Sequence, residues 1–417
     1  MAELTVLNVL LHKEHIGTIT LLPGDQSLFA FTESYIDDEN RATLSLSFKE
    51  AATGQLITDV RPTQARLHPF FANLLPEGPM RDYLANRANV KPEREFFLLW
   101  VLGKDLPGAL EIQPSDGETW PEDTGDESGN NEDAISSKEN ALRFSLAGVQ
   151  LKFSAINEAT GGLTIPTSGI GGSWIVKLPS TKFDGVPENE YAMMNLASQI
   201  GMDIPETKLI DLSDISGLPS DVGQLRGQAL AVRRFDRQDS GHAVHVEDFA
   251  QVFGVFPDKK YEKASYRDIA EVIWVETGET GAAEFIRRLV FNALIGNGDM
   301  HLKNWSLIYP DKRLPMLSPG YDFVSTIVYL PEDKMALTLS KSKESKEFKE
   351  LSLSSLSRLA AKARLPETLV IDTAIETVER FRQIWKDSKG DSLLTRESIQ
   401  VIEDHITQIP LANESCF

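Results

Sequence analysis

The sequence is poor in cysteine and has no long apolar run. Its one cysteine, Cys416, has no partner within the chain, so an internal disulfide is excluded. No segment approaches the roughly 20 consecutive apolar residues that a membrane-spanning helix needs. The first residues, MAELTVLNVLLHKEHIG, lack the basic start and the small-residue cleavage site of a secretion signal. These absences predict a cytoplasmic protein with no membrane partner.

Positive charge is also scarce. The chain has 42 Lys and Arg against 62 Asp and Glu, which gives a net charge of −20 at pH 7. Direct, sequence-independent binding to nucleic acid needs a basic face, so this balance argues against it. Residues 111–140 alone hold ten acidic side chains and one lysine, a net −9. The remainder is only moderately acidic, and nucleic acid could still be reached through a basic partner.

The sequence divides into four segments. With 417 residues, 41% of them hydrophobic, it can bury a large core in two or three structural units. Residues 1–110 carry β-rich segments followed by short apolar helices, and residues 111–141 are polar, acidic and rich in Gly, Ser and Asn. We predict a small N-terminal unit and a flexible linker, with an acidic regulatory arm as the alternative reading of the linker.

Beyond the linker the pattern changes once more. Residues 142–240 read as strands around one helix that ends at Gly201, and residues 241–417 read as mainly helical. Within the N-terminal unit, ATLSLSF continues the strand pattern and is predicted to be a strand. Strands first and helices afterwards predict an α+β fold with two lobes, the first β-rich and the second mainly helical.

The most informative string is NGDMHLKNW, which follows an apolar helix and precedes the strand-like SLIYP. Asp299 and Asn304 have the spacing of a kinase catalytic loop, in which the Asp accepts the proton of the attacking hydroxyl and the Asn holds a metal ion. Asp322 and Phe323 follow in PGYDFVS, with Val324 where the kinase metal-binding turn has glycine. A single Asp and Asn at this spacing is common in surface turns. The Asp-Phe fragment that follows in the order of a kinase makes a kinase the favoured interpretation.

An upstream lysine and glutamate agree with this reading. Lys177 lies in the apolar strand SWIVKLP, where a charge is costly unless it is used, although an edge strand would also let the ammonium reach water. Glu190 lies near the start of the next helix and would pair with this lysine. It could equally oppose the helix dipole, and Glu188 competes with it for the pairing. The segment RFSLAGVQLKF, whose one glycine is Gly148, could lay backbone N–H groups over phosphates.

In chain order, several of these segments resemble the signatures of HipA-type serine/threonine kinases, the toxins of toxin–antitoxin pairs. FFANLLPEGP, after a small β unit, is similar to the N-terminal subdomain of that family. The resemblance covers most of the chain apart from the acidic segment and the last helices. It implies a bilobal protein-kinase-like fold and an enzyme that uses ATP and Mg²⁺. The other matching segments are SLAGVQLKFSA, IVKLP, NEYAMMNLASQIG, ALAVRRFDR, NGDMHLKNWSL and PGYDFVS.

The resemblance also implies roles for individual residues. Asp299 would be the catalytic base, and Asn304 and Asp322 would be the Mg²⁺ ligands. Lys177 would hold the α- and β-phosphates with Glu190 as its partner. Other nucleotide-site residues are implied in the phosphate loop, in the hinge against adenine and ribose, in the catalytic loop and beside the metal-binding turn: Ala147, Gly148, Val149, Gln150, Lys152, Arg233, Arg234, Phe235, Asp236, His301, Lys303 and Tyr321.

The family further implies regulation and partners. A serine just before the phosphate loop is autophosphorylated in this family, which silences the kinase, and Ser145 occupies that position. The implied partners are a small helix-turn-helix antitoxin, operator DNA reached mainly through it, and a protein substrate such as an aminoacyl-tRNA synthetase. The sequence departs from the family at Arg233, where the best-known member has an acid, and at Leu151, where glutamate is usual.

Two other functions fit parts of the sequence. NGDMHLKN is also similar to the catalytic loop of aminoglycoside-type phosphotransferases, although that family has no place for the N-terminal unit or for SLAGVQ. A catalytically silent kinase that acts as a co-repressor scaffold is the non-enzymatic alternative. Phosphate transfer to Ser145 would argue against the first, and a growth effect lost on Asp299→Asn would argue against the second.

Overall fold

The computed structural model describes residues 5–88, 90–115, 152–157, 162–165, 172–218, 225–340 and 345–414. The strands are β1 Thr5–Leu11, β2 Glu14–Leu22, β3 Gln26–Phe31, β4 Thr63–Gln64, β5 Leu110–Pro114, β6 Lys152–Asn157, β7 Leu163–Thr164, β8 Trp174–Lys177, β9 Thr207–Asp211, β10 Ile215–Ser216, β11 Gln228–Arg233, β12 His245–Asp248, β13 Ser306–Tyr309 and β14 Met316–Leu317. The α-helices are α1 Glu33–Asp37, α2 Pro69–Ala72, α3 Gly78–Ala88, α4 Glu95–Leu102, α5 Val186–Ile200, α6 Phe249–Val252, α7 Tyr266–Leu294, α8 Leu353–Ala363, α9 Glu367–Ser388, α10 Arg396–Thr407 and α11 Pro410–Glu414.

The N-terminal unit is built on an antiparallel sheet in the order β4-β3-β2-β1-β5. Strands β1 and β2 are joined by His12 and Lys13, whose φ values of 51° and 69° fit a two-residue turn with positive φ at both positions. Strand β5 pairs with β1 and ends at Pro114. The sheet therefore takes in the first residues of the segment predicted to be a linker, and residues 116–150 lie outside the described part of the chain.

The strand predicted over ATLSLSF is wrong. Leu46–Phe48 forms a 3-10 helix, which Ser45 caps by accepting a hydrogen bond from the backbone N–H of Ser47 at 3.0 Å. The N–H of Leu46 donates to the carboxylate of Glu247, on β12, at 3.0 Å. Side chains therefore take the backbone donors that a sheet ladder would have used, and they overrule the alternating pattern.

The second sheet has the order β10-β7-β6-β8-β11-β9 and carries helix α5. Helix α5 ends as predicted at Gly201, whose φ of 97° suits glycine. The sheet shares one apolar core with the N-terminal unit, since Leu7 and Phe71 of that unit cluster with Phe153 and Val176 of the second sheet. All four side chains are fully buried, so the two β-rich parts pack as one body.

The last part of the chain is mainly helical. Helix α7 is broken at Gly278 and packs against α8 and α9, while β12, β13 and β14 form a small antiparallel sheet. The helical lobe has an apolar core of its own, separate from that of the β-rich part, and this core contains Trp305 and Phe323. The predicted α+β, two-lobed architecture is confirmed. Among the described residues, no helix combines the length and the apolar character that crossing a membrane requires.

Candidate active site

A cavity of about 650 Å³ lies between the β-rich part and the helical lobe. Every predicted site residue that the structure describes lines it: Lys152, Lys177, Glu190, Arg233, Arg234, Phe235, Asp236, Asp299, His301, Lys303, Asn304, Tyr321 and Asp322. Ser145, Ala147, Gly148, Val149, Gln150 and Leu151 lie outside the described residues. The fold thus gathers into one cleft residues that are up to 170 positions apart in the sequence (322 minus 152).

Lys177 is the central cation of the cleft. It ends strand β8 in a buried position, and its ammonium contacts the carboxylates of both Glu190, on α5, and Asp322. Burial alone would lower the pKa of Lys177, but Asp322 and Glu190 together raise it above its ordinary value. The lysine is therefore charged at any physiological pH. Of the two glutamates considered from the sequence, Glu190 makes the contact and Glu188 does not.

Asp322 is held in an unusual backbone conformation. Its φ is 57°, in the left-handed region that a residue with a Cβ rarely adopts, and Asn297 donates to its carbonyl at 3.2 Å. Burial alone would raise the pKa of the Asp322 carboxyl, but Lys177 and Lys152 outweigh it and hold the pKa at about 2. The left-handed backbone conformation of Asp322 therefore accompanies the placement of an ionised carboxylate in the wall of the cleft.

The catalytic-loop candidates follow the end of helix α7. Asn304, in the short 3-10 helix Leu302–Asn304, donates to the backbone carbonyl of Asp299 at 2.8 Å and so closes the loop on itself. The Asp299 side chain remains 50% exposed toward the cleft. Desolvation by the surrounding walls raises the pKa of the Asp299 carboxyl, which makes it a better proton acceptor than an ordinary aspartate.

Tyr261 and His301 surround this carboxylate. The Tyr261 hydroxyl donates a hydrogen bond to Asp299, and its ring meets the His301 ring edge-on with a centroid distance of 4.8 Å. Burial lowers the pKa of His301 to about 3, so the ring is neutral. Its Nδ1 is buried without a hydrogen-bond partner in the described part of the chain. A buried polar atom with no partner at this place is consistent with a site that a ligand completes.

The N-terminal unit also contributes to the cleft. Glu77, which precedes α3, pairs with Lys260 at 2.8 Å and with Lys303 at 2.9 Å. Burial works against ionisation of Glu77, but the two lysines outweigh it and lower its pKa to about 2. Glu77, Tyr261 and Lys260 are cleft residues that the sequence did not predict. The FFANLLPEGP string contains Glu77, but nothing local indicates a partner 226 positions away (303 minus 77).

The hinge candidates behave differently from one another. Arg233 is partly exposed and pairs with Glu206 at 3.4 Å and with Asp239. Arg234 is buried, and its guanidinium pairs with Asp105 at 3.1 Å and with Asp236 at 2.9 Å. These side chains border the cavity, but the charges of Arg234 and Asp236 are committed to each other. A ribose contact by Asp236 would have to compete with these bonds.

The remaining hinge residue, Phe235, packs against Tyr321 at a ring-centroid distance of 5.8 Å. The Tyr321 hydroxyl in turn donates to the backbone carbonyl of Lys303 at 2.9 Å. This aromatic pair lines the cavity and ties the hinge side of the cleft to the catalytic loop. Tyr321 itself is largely fixed by these contacts, which leaves the Phe235 ring as the apolar surface against which a planar base could pack.

The oxygen donors suit a hard divalent cation. Asp322 offers a carboxylate and Asn304 an amide oxygen, and both border the same cavity. In the described residues no group of three or more His, Cys, Asp or Glu side chains could enclose a metal by itself. This pattern fits Mg²⁺, which usually takes one or two protein oxygens and completes its shell with water and substrate phosphates.

Comparison with sequence families agrees with this geometry. The family described as the HipA N-terminal domain matches residues 7–113, and the family described as the HipA-like C-terminal domain matches residues 144–385. The two matches fall on either side of the acidic segment. Together they cover both the unit that carries Glu77 and the lobes that carry Lys177, Asp299 and Asp322.

Individual relatives give the same picture. The chain is 56% identical over 417 residues to the candidate kinase Y4dM of Sinorhizobium fredii, covering 99% of each protein. It is 26% identical over 348 residues to the serine/threonine-protein kinase toxin HipA of Shewanella oneidensis, covering 76% of this chain and 75% of that protein.

The fold has been seen in a solved structure. HipA in the complex of Shewanella oneidensis HipA, HipB and operator DNA superimposes with a TM-score of 0.71, at 21% identity, over 98% of this chain and 96% of that one. This match confirms the predicted bilobal kinase-like fold. Since the family matches cover residues 7–113 and 144–385, the chain belongs to the HipA family of kinases.

Proposed function

We propose that the chain is an ATP- and Mg²⁺-dependent serine/threonine protein kinase that acts as the toxin of a toxin–antitoxin pair. The observation that carries the proposal is the contact of Lys177 with both Glu190 and Asp322 in the cleft that Asp299 also lines. A lysine held by a helix glutamate beside a metal-binding aspartate is what a kinase needs to fix the phosphates of ATP.

The reaction follows from the placement of these groups. The hydroxyl oxygen of the acceptor attacks the γ-phosphorus of ATP, the bond between the γ-phosphorus and the bridging oxygen breaks, and ADP leaves. Asp299 takes the proton of the hydroxyl, and its raised pKa suits that task. Lys177 binds the α- and β-phosphates, which would replace part of its present contact with Asp322.

Asn304 and Asp322 would hold the Mg²⁺ ion, which when bound neutralises the charge of the phosphates. Lys303 lies beside this position, but Glu77 already pairs with it at 2.9 Å. We therefore assign Glu77 the task of positioning Lys303, so that the N-terminal unit takes part in ordering the catalytic loop. The Phe235 ring would pack against adenine.

The biological role rests on the relatives. The Shewanella oneidensis relative is named a serine/threonine-protein kinase toxin. HipA of that organism was solved in a complex with HipB and operator DNA. By analogy, we infer a HipB-type antitoxin as partner, with operator DNA reached mainly through it. The protein substrate would be translation-related, such as an aminoacyl-tRNA synthetase, whose phosphorylation would arrest growth. Ser145 would be the autophosphorylation site.

The test compares the parent protein with Asp299→Asn. Both would be incubated with Mg²⁺ and ATP, and phosphosites would be mapped by intact-mass and peptide mass spectrometry. We expect phosphate on Ser145 in the parent, a rate lower by roughly 100- to 10,000-fold in the variant, and ATP binding in both. Equal turnover in the two proteins would refute the assignment of the base.

The same two proteins separate the alternatives. Phosphate transfer to an aminoglycoside without any transfer to Ser145 would favour a small-molecule phosphotransferase. If neither protein is phosphorylated although ATP binds, expression of both forms in cells decides between an external substrate and a silent scaffold. Growth arrest by the parent that is lost in Asp299→Asn requires catalysis, whereas equal arrest by both would support the scaffold.

A further inference from the structure

A second cavity, of about 180 Å³, lies away from the catalytic cleft. Its walls come from residues 35–56 of the N-terminal unit and from Arg313 and Leu314, in the turn between β13 and β14. The two walls are joined by Thr43, whose N–H donates to the carbonyl of Lys312 at 2.8 Å and whose hydroxyl donates to that of Arg313 at 2.9 Å. Any occupant would therefore touch both the N-terminal unit and the helical lobe.

Three cationic side chains line this cavity in a chain whose net charge is −20: Arg41, Lys49 and Arg313. Within the part of the chain that the structure describes, none of them forms an ion pair with a carboxylate. Lys49 donates to the Thr43 hydroxyl at 2.9 Å, and Arg41 donates to the carbonyl of Asp38 at 2.8 Å. Neutral oxygens thus accept their hydrogen bonds, and among the described residues no carboxylate contacts the three cations directly.

The positive charges also act on one another. Lys49 is half-buried, and burial is the main cause that lowers its pKa. Glu276 and Glu247 act against the effect of burial, and the smaller effects of Arg41 and Arg313 add to it. Clustering like charges in a partly buried cavity is unfavourable unless an anion offsets it.

Glu39 is the acidic residue on the cavity wall. It is exposed, and its backbone carbonyl, rather than its carboxylate, accepts a hydrogen bond from Arg313 at 3.3 Å. Its carboxylate therefore does not neutralise the cluster. This leaves room for an external anion in the cavity that the three cations line.

The shape and donors indicate which anion. A volume of 180 Å³ is several times the roughly 30 Å³ that one water occupies in the liquid. It can take a tetrahedral oxyanion and part of the group that carries it. Two guanidinium forks and an ammonium suit the several acceptor oxygens of a phosphate better than the two of a carboxylate. A small pocket, rather than a long basic stripe, also argues against a nucleic-acid backbone.

We propose that this cavity binds a phosphate group, free or carried by a small molecule, through Arg41, Lys49 and Arg313. Because both walls contribute donors, the bound phosphate fixes the N-terminal unit against the helical lobe. The site is separate from the phosphoryl-transfer cleft, since none of the three residues lines that cleft. It stands or falls independently of the proposed kinase reaction.

The test measures binding of inorganic phosphate by isothermal titration calorimetry at fixed ionic strength, with chloride as the balancing anion. Four full-length proteins are compared: the parent, Lys49→Met, Lys177→Met and Lys349→Met. Lys49→Met keeps the aliphatic stem but removes the charge, while Lys349→Met makes the same change at a lysine that lines neither cavity. Lys177→Met separates binding in the catalytic cleft from binding in the second cavity.

We expect Lys49→Met to weaken phosphate binding by roughly ten-fold or more, since a charge-assisted contact is lost, whereas Lys177→Met and Lys349→Met retain it. A repeat with phosphoserine or a sugar phosphate then shows whether the carrier adds affinity or free phosphate is the better ligand. Binding that is lost in Lys177→Met but kept in Lys49→Met would overturn the proposal. So would the absence of binding, or weak binding that chloride matches, which would indicate an adventitious ion only.

Discussion

Two buried networks of charged side chains border the same cleft, and they are built on opposite plans. In the first, Lys177 alone contacts two carboxylates, those of Glu190 and Asp322, and the Asp322 side chain is 27% exposed. In the second, Arg234 and Arg237 share Asp105 and Asp236, and every carboxylate is buried. The first network has two carboxylates for one contacting lysine and is partly exposed to the cleft, whereas the second pairs two arginines with two carboxylates. We call the first the open network and the second the closed network.

The difference shows which network is free to act. In the closed network, that of Arg234, Arg237, Asp105 and Asp236, the Asp236 carboxylate accepts from both arginines and from the N–H of Gly108 at 2.8 Å. Little hydrogen-bonding capacity is therefore left. This network joins the 105–108 segment of the N-terminal unit to the hinge and serves to hold the two together. The open network keeps a strained Asp322 facing the cleft, where a cation and phosphates can still bind.

The clearest test of the difference between the two networks is the same isosteric change, Asp→Asn, in each of them. In the open network, Asp322→Asn should lower phosphoryl transfer by about 1000-fold, since the proposed metal ligand and its charge are lost. The free energy of unfolding should change by no more than about 1 kcal/mol, because Lys177 and Glu190 remain as a balanced pair. Steady-state ATP turnover and urea unfolding measure the two quantities. Normal turnover in Asp322→Asn would show that Asp322 has no role in phosphoryl transfer.

In the closed network, Asp105→Asn should have the reverse profile. Asp105 accepts from Arg234 at 3.1 Å and from Arg237 at 3.0 Å, so the change leaves two buried guanidinium groups to share one carboxylate. We expect the free energy of unfolding to fall by about 3 to 5 kcal/mol. Turnover per folded molecule should change only a few-fold. A large loss of turnover with unchanged stability would mean that this network, too, belongs to the active site.

The two networks also differ in how far the sequence could predict them. The residues of the open network lie in local strings whose spacing is itself informative: IVKLP, NEYAMMNLASQIG and PGYDFVS. Asp299 and Asn304 were predicted for the same reason, and both line the cleft. Local spacing is preserved because a strand end, a helix start and a tight loop each fix a few residues at a time. Their catalytic roles stay predictions.

The ion pairs between distant residues cannot be recognised from local spacing in the sequence. Asp105 meets Arg234 across 129 positions, and Glu77 meets Lys303 across 226. Neither acid stands out from its neighbours in the sequence. The wrong strand prediction over ATLSLSF has the same origin, since Glu247, some two hundred positions away, takes the N–H of Leu46. Contacts between distant units decide these features, and a single sequence does not encode them in local periodicity.

Glu247 differs from the carboxylates of both networks, because it is buried and no cation pairs with it in the described residues. It accepts from the Ser45 hydroxyl at 2.5 Å, from the N–H of Leu46 at 3.0 Å and from the Tyr309 hydroxyl at 2.5 Å. Burial raises its pKa to about 7, although these donors act against the rise. It joins the N-terminal unit to the helical lobe with neutral donors where Asp105 uses charged ones.

The raised pKa gives a pH dependence of defined sign. Between about pH 4.5, the ordinary glutamate value, and about pH 7, the folded protein keeps a proton on Glu247 that the unfolded chain releases. Rising pH therefore favours the unfolded chain in this window, by at most about 3 kcal/mol, and has no further effect through this group above it. Glu247→Gln, which can accept from Leu46 and donate to Ser45, should remove this part of the fall. Urea unfolding at pH 5 and pH 8 compares the two proteins, and equal losses of stability in both would show that Glu247 does not titrate in the folded state.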